Sequence, residues 1–133
     1  MRAHRSFPHR PSSITQARRY VAANLDSLPQ SIADSVLLIV SELATNAIRH
    51  AGTGFRVEID LELDELCISV ADSGDGDPVI VSPPPTQPSG RGLQIVELLS
   101  DRWGIIPATP KQGKKVWFAV KVKEQHRPLQ DAT

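Results

Sequence analysis

SIADSVLLIVSELATNAIRHAGTGFRVEIDLELDELCISV, residues 31–70, changes its hydrophobic period once, and that change decides the fold class. Before the change, Ile32, Val36, Ile39, Val40, Leu43, Ala47 and Ile48 recur at helical spacing. They form a broad apolar stripe and predict a helix from about Ser31 to Ala51, stopped by Gly52. After Gly54 the period is two: Phe55, Val57, Ile59, Leu61 and Leu63 alternate with Arg56, Glu58, Asp60 and Glu62. Such alternation marks a strand with one wet face. Asp64-Glu65 turns the chain, and Leu66, Ile68 and Val70 share one face of the next strand. An antiparallel hairpin packing that face on helices is expected.

Toward the N-terminus, Ser12 and Ser13 are candidate caps for a helix carrying Ile14, Ala17, Val21 and Leu25, ending near Leu28-Pro29. On the other side, Asp72 to Gly90 is rich in Gly, Pro, Ser and Asp, includes Pro83-Pro84-Pro85, and has no period that could bury a face. A loop that long in a compact domain usually has a function, and a mobile lid is expected. Gly92 to Ser100 reads as a short buried helix, Trp103 to Ile106 as a strand ended near Pro107, and Val116, Phe118, Val120 and Val122 as a last strand. The expectation is a single domain over 1–133, with a core of about 7–122 and flexible tails at 1–6 and 123–133.

At 133 residues the chain fits one domain of ordinary size. Fifteen Lys and Arg against fifteen Asp and Glu leave no net charge, so no direct nucleic-acid binding and no membrane attraction are expected. The single cysteine, Cys67, excludes an internal disulfide, and His4, His9, His50 and His126 are too scattered for a metal motif. No segment reads as long and apolar enough to cross a bilayer, and a cytoplasmic location is expected.

Three segments carry candidate chemistry. Glu42 and Asn46 are one turn apart on the long helix, with His50 one turn further, so a polar stripe runs along a core-facing helix. The amide oxygen of Asn46 is a hard neutral ligand suited to Mg²⁺, and Glu42 could serve as a base. The bland alternative is the solvated face of an amphipathic helix. Asp72 follows a strand directly; its carboxylate can accept a hydrogen bond from an exocyclic amine, with Gly74 and Gly76 letting the backbone bend beneath a flat base. Ordinary turn chemistry with no ligand competes for the same residues, while a calcium loop fits less well because Gly74 and Gly76 stand where ligands should be. Gly90-Arg91-Gly92-Leu93 opens an apolar helix whose free N–H groups could receive phosphate oxygens. It is neither a dinucleotide fingerprint nor a Walker loop.

In this order the three segments resemble the N, G1 and G2 boxes of the GHKL ATPase superfamily. The wording of Glu42-Leu43-Ala44-Thr45-Asn46-Ala47-Ile48-Arg49-His50-Ala51, and of Gly90-Arg91-Gly92-Leu93 running on to Asp101-Arg102-Trp103-Gly104, is similar to the small anti-sigma-factor branch with its serine kinases. The resemblance spans roughly Phe7 to Val122. It implies an α/β (α+β) two-layer sandwich, a mixed, largely antiparallel sheet backing the helices, with ATP in the crevice. Asn46 would bind Mg²⁺ and Glu42 would be the catalytic base. Asp72, Gly74 and Gly76 would hold adenine, while Gly90, Arg91 and Gly92, with His50 and Leu93, would complete the nucleotide site. The implied activity is phosphorylation of an anti-anti-sigma partner of the STAS type, alternating with capture of a sigma factor; similar proteins are commonly homodimers. Arg18 or Arg19 would face those partners. One departure stands out: Gly113-Lys114-Lys115 puts Lys115 where the resemblance expects threonine. No phosphoacceptor helical region is present, so a self-contained histidine kinase is not expected.

Overall fold

Gly52 adopts φ 70°, a left-handed conformation that glycine takes without steric cost, and there the long helix stops and the strands begin. The computed structural model describes residues 1–72, 89–109 and 113–122; of Ser89, Gly90 and Arg91 it describes the backbone only. The elements in chain order are β1 (Arg2–Phe7), α1 (Ser12–Asn24), α2 (Gln30–Asn46) continued by a π turn (Ala47–Ala51), β2 (Phe55–Leu61), β3 (Glu65–Asp72), α3 (Ser89–Leu99), β4 (Arg102–Ile106) and β5 (Lys115–Lys121). The strands form one sheet in the order β1-β2-β3-β5-β4. Every pairing among the described residues is antiparallel. This is the α+β architecture, helices on a largely antiparallel sheet, that the resemblance implied.

Register explains why the helices lie on one side. Val57, Ile59 and Leu61 stand opposite Val70, Ile68 and Leu66, and those three stand opposite Val116, Phe118 and Val120. One face of three strands is therefore continuously apolar, and α2 covers it with Val36, Ile39, Val40 and Leu43, all buried. The second helix is flanked by α1, which contributes Ala17 and Val21 with Leu25 just past its end, and by α3, which contributes Val96.

Several expectations need correction. Residues 1–6 do not fray: β1 pairs with β2 from Arg2↔Asp60 to Phe7↔Phe55. Its polar composition hid it, since an end strand has only one neighbour and needs few apolar anchors; here Phe7 stacks on Phe55 at 5.3 Å. Ser12 and Ser13 do not cap α1. Pro11 precedes the helix, and the buried Ser13 hydroxyl donates to the Pro8 carbonyl at 2.7 Å. The first strand of the hairpin ends at Leu61, leaving Leu63 84% exposed. The helix expected from Gly92 begins at Ser89, and it is buried on one side only, with Leu98 turned outward. Gln30–Ala51 runs 22 residues at mean hydropathy 1.4, long and apolar enough by those measures to cross a bilayer. It is nonetheless a core helix here, its apolar stripe spent on the sheet and on α1 and α3. The expected lid falls on residues 73–88 and the C-terminal tail on 123–133; both lie outside the described residues.

Candidate functional site

The polar stripe read from the sequence faces the start of α3. Asn46 is half-buried at the end of α2, and from there the helix widens: the Gly52 N–H reaches back to the Ala47 carbonyl at 3.1 Å, a bond across five residues. Such π turns re-aim side chains at the end of a helix. His50 lies in that turn and is exposed. His9, in the segment joining β1 to α1, makes a ring-nitrogen hydrogen bond with the Ile48 carbonyl at 2.9 Å, so the turn is held from outside its own helix.

Asn46, His50, Asp72 and Leu93 line one cavity of about 310 Å³, at the small end of the range that holds small-molecule ligands. Leu43, Val70 and Val116 line its apolar part and Lys114 its polar part. Four stretches of sequence thus meet: the end of α2 with its π turn, the end of β3, Leu93 early in α3, and Lys114 to Val116 at the start of β5. Gly74 and Gly76 lie outside the described residues. Gly90 and Arg91 fall inside the first turn of α3 rather than ahead of it. That turn still carries N–H groups with no partner within the helix, so the anion-receiving chemistry survives the shift.

Two glycines make this convergence possible. A Cβ on Gly92 would stand 2.9 Å from Asn46 Nδ2 and 3.7 Å from Glu42 Cβ, so α3 sits close against the Glu42–Asn46 face only because residue 92 has no side chain. Glu42 is half-buried beside Asn46 but is not among the residues lining the cavity. A Cβ on Gly113 would occupy the place of the Asp72 carboxylate. Sequence reasoning passed over Gly113 and Lys114 as site residues. The alternation of β5 could have found Lys114, since two positions back from the inward-facing Val116 is the same face.

The same alternation relocates the threonine question. Lys115 is on the opposite face of the sheet, where its Nζ lies 3.6 Å from Glu58 Oε1. It belongs to a larger hollow, about 550 Å³, bordered by Arg56, Glu58, Asp72 and Lys115. There the Arg56 side chain, hydrogen-bonded at 3.0 Å, and more weakly Lys115 hold the Glu58 carboxyl below its usual range against the opposing effect of burial. Asp72 borders both hollows, but only the smaller one is also lined by Asn46, His50 and Leu93.

A family model described as the histidine kinase-like ATPase domain matches residues 7–120 of this chain. The chain belongs to the histidine kinase-like ATPase family. The match covers every element from the end of β1 almost to the end of β5, including all four stretches that meet at the cavity. A comparison with curated proteins found no match. Family membership makes this an ATP-binding domain, and the donor set fits that ligand. Asn46 offers an amide and Asp72 a carboxylate, and the apolar residues between them suit a base; the N–H groups at the start of α3, the helix that brings Leu93 to the cavity, suit phosphates.

Proposed function

We propose that the chain binds Mg·ATP in this cavity and acts as a cytoplasmic anti-sigma regulatory factor with serine/threonine kinase activity toward a STAS-type anti-anti-sigma protein. It would control transcription by alternating between that partner and a sigma factor. The observation that supports the reading is the close approach of Gly92, near the start of α3, to Asn46 and Glu42 on α2. The wording of the Glu42–Ala51 and Gly90–Gly104 segments supports the anti-sigma branch.

In this reading Asp72 accepts a hydrogen bond from the adenine amine, and the N–H groups of the first α3 turn orient the phosphates. The Asn46 amide oxygen is the protein's ligand to magnesium, which when bound offsets the charge of the phosphate oxygens. Glu42 holds the proton of the attacking serine hydroxyl as its oxygen bonds to the γ-phosphorus and the β–γ bridging bond breaks, releasing ADP. Incubation with labelled ATP and candidate STAS-type proteins tests this. Label should appear on a partner serine, and Glu42→Gln should abolish transfer while ATP still binds. Absence of transfer with every candidate, despite bound ATP, would remove the kinase activity.

A second reading is a regulatory module of the same fold in which ATP organises the partner surface with little or no transfer. It rests on the position of Glu42, which borders Asn46 without lining the cavity. Unchanged partner control by Glu42→Gln in cells would select it.

A further inference from the structure

The turn that closes the long helix is held by a side chain from far away in the sequence. Ala47–Ala51 forms the π turn, and Ala47, His50 and Ala51 from it line the nucleotide cavity. The last carbonyls of a helix have no partner within it. Here the Gly52 N–H donates to the Ala47 carbonyl at 3.1 Å, and the His9 ring meets the Ile48 carbonyl at 2.9 Å. A carbonyl can only accept, so Nε2 carries the proton in that bond. The neutral Nε2–H tautomer and the imidazolium can both make it.

His9 is presented by the chain between β1 and α1, which is itself fixed in place. The buried Ser13 hydroxyl donates to the Pro8 carbonyl at 2.7 Å, and the Arg10 N–H donates to the same oxygen at 2.9 Å. Gly54 lies against this segment: a Cβ there would meet the Phe7 carbonyl and stand 3.2 Å from Pro8 Cα and 3.3 Å from the His9 nitrogen. Backbone thus packs directly on backbone, and the imidazole reaches the turn from a firm base.

The bond is exposed, and such a bond adds little to global stability, because water replaces it in the unfolded chain. It can still decide between two close forms of a turn. Without it the last residues can return to the ordinary four-residue repeat, which would rotate His50 and Ala51 relative to Asn46.

We propose that His9 is a positioning residue for the nucleotide: its hydrogen bond to Ile48 holds the π turn in the form that places His50 and Ala51 on the cavity wall. This rests on ATP occupying that cavity and not on the kinase or anti-sigma reading. The effect is reciprocal, since a turn that favours nucleotide when held must be favoured in its held form by bound nucleotide, and by the same factor.

Titration calorimetry on the full chain compares three variants. His9→Phe keeps a ring without a donor, and His9→Gln keeps a donor without the ring. His9→Ala and His9→Phe should weaken Mg·ATP at least about fivefold, with melting temperatures close to that of the unaltered chain. His9→Gln should recover most of the affinity. Hydrogen exchange reads the turn itself: the Gly52 amide should exchange faster in His9→Ala, and saturating Mg·ATP should slow it in the unaltered chain. Recovery by His9→Phe, or none by His9→Gln, would overturn the proposal, because the ring would then only fill space. Unaltered affinity in His9→Ala would overturn it as well, and Asp72→Asn shows how far the failure extends. Weakened binding by Asp72→Asn confines it to His9, whereas indifference to both variants removes the nucleotide from the cavity. Should His9→Ala not fold, the Gly52 amide of the unaltered chain puts the same question, and exchange that Mg·ATP leaves unslowed gives a negative answer.

Discussion

Among single residues, Gly92 separates function from stability most sharply. Its backbone φ is not in the left-handed region and its helix is ordinary, so Gly92→Ala costs no backbone strain and adds about 1 kcal/mol of helix propensity. The new methyl would nonetheless sit 2.9 Å from Asn46 Nδ2, tighter than real Cβ contacts allow. The amide at the end of that side chain can swing aside, which relieves the clash and spoils the ligand position. We expect Gly92→Ala to fold with undiminished thermal stability and to bind Mg·ATP at least about tenfold more weakly, measured by titration calorimetry. Unaltered Mg·ATP affinity would mean that the Asn46 amide is not used. A sequence shows that residue 92 is glycine but not which atom crowds it. That is why the Gly90–Gly92 segment was legible as a glycine-bearing helix start while its close approach to Asn46 was not.

At the level of elements, the hairpin and the long helix were legible because each buries one face and therefore carries a clear period. Val57, Ile59, Ile68 and Val70 have positions fixed by burial. What escaped the sequence were features without a periodic signature, the polar end strand β1 and the π turn after Asn46. The turn depends on its cap, Gly52 at φ 70°, where a Cβ would meet nothing within 4 Å. Gly52→Ala therefore acts through backbone strain alone and should cost about 1–2 kcal/mol in chemical denaturation, with Gly52→Asn costing less. On the sheet face away from the helices, Glu58 is tied to Arg56 and Lys115. Its folded pKa is lowered from the ordinary 4.5, so its stabilisation is present above that value and is lost as pH falls through the folded pKa. The group is half-exposed, which limits the effect to about 1 kcal/mol or less. Melting curves of the protein and of Glu58→Gln should differ above pH 4.5 and converge below it, with the gap shrinking in high salt.

For the molecule as a whole, the site exists only when the chain is folded: Asn46, Asp72 and Leu93 come from three elements that meet at one cavity. The sequence announced the three segments through their residue types and order, and their convergence is a property of α2 lying across β3 while α3 packs against it. A ligand that joins such dispersed groups binds the native state and has no equivalent site on the unfolded chain, so occupancy must raise global stability. At a free Mg·ATP concentration of 100 times the dissociation constant, the gain should be about 2.7 kcal/mol. Magnesium should account for part of it, and Asn46→Ala should erase that part while leaving the smaller gain given by ATP with a chelator. Thermal melts of both proteins, with ATP plus magnesium and with ATP plus chelator, measure the difference directly. An Asn46→Ala protein that gains as much from magnesium as the unaltered chain would mean that the ion is held elsewhere, and the cavity would lose its claim to the phosphate end of the nucleotide.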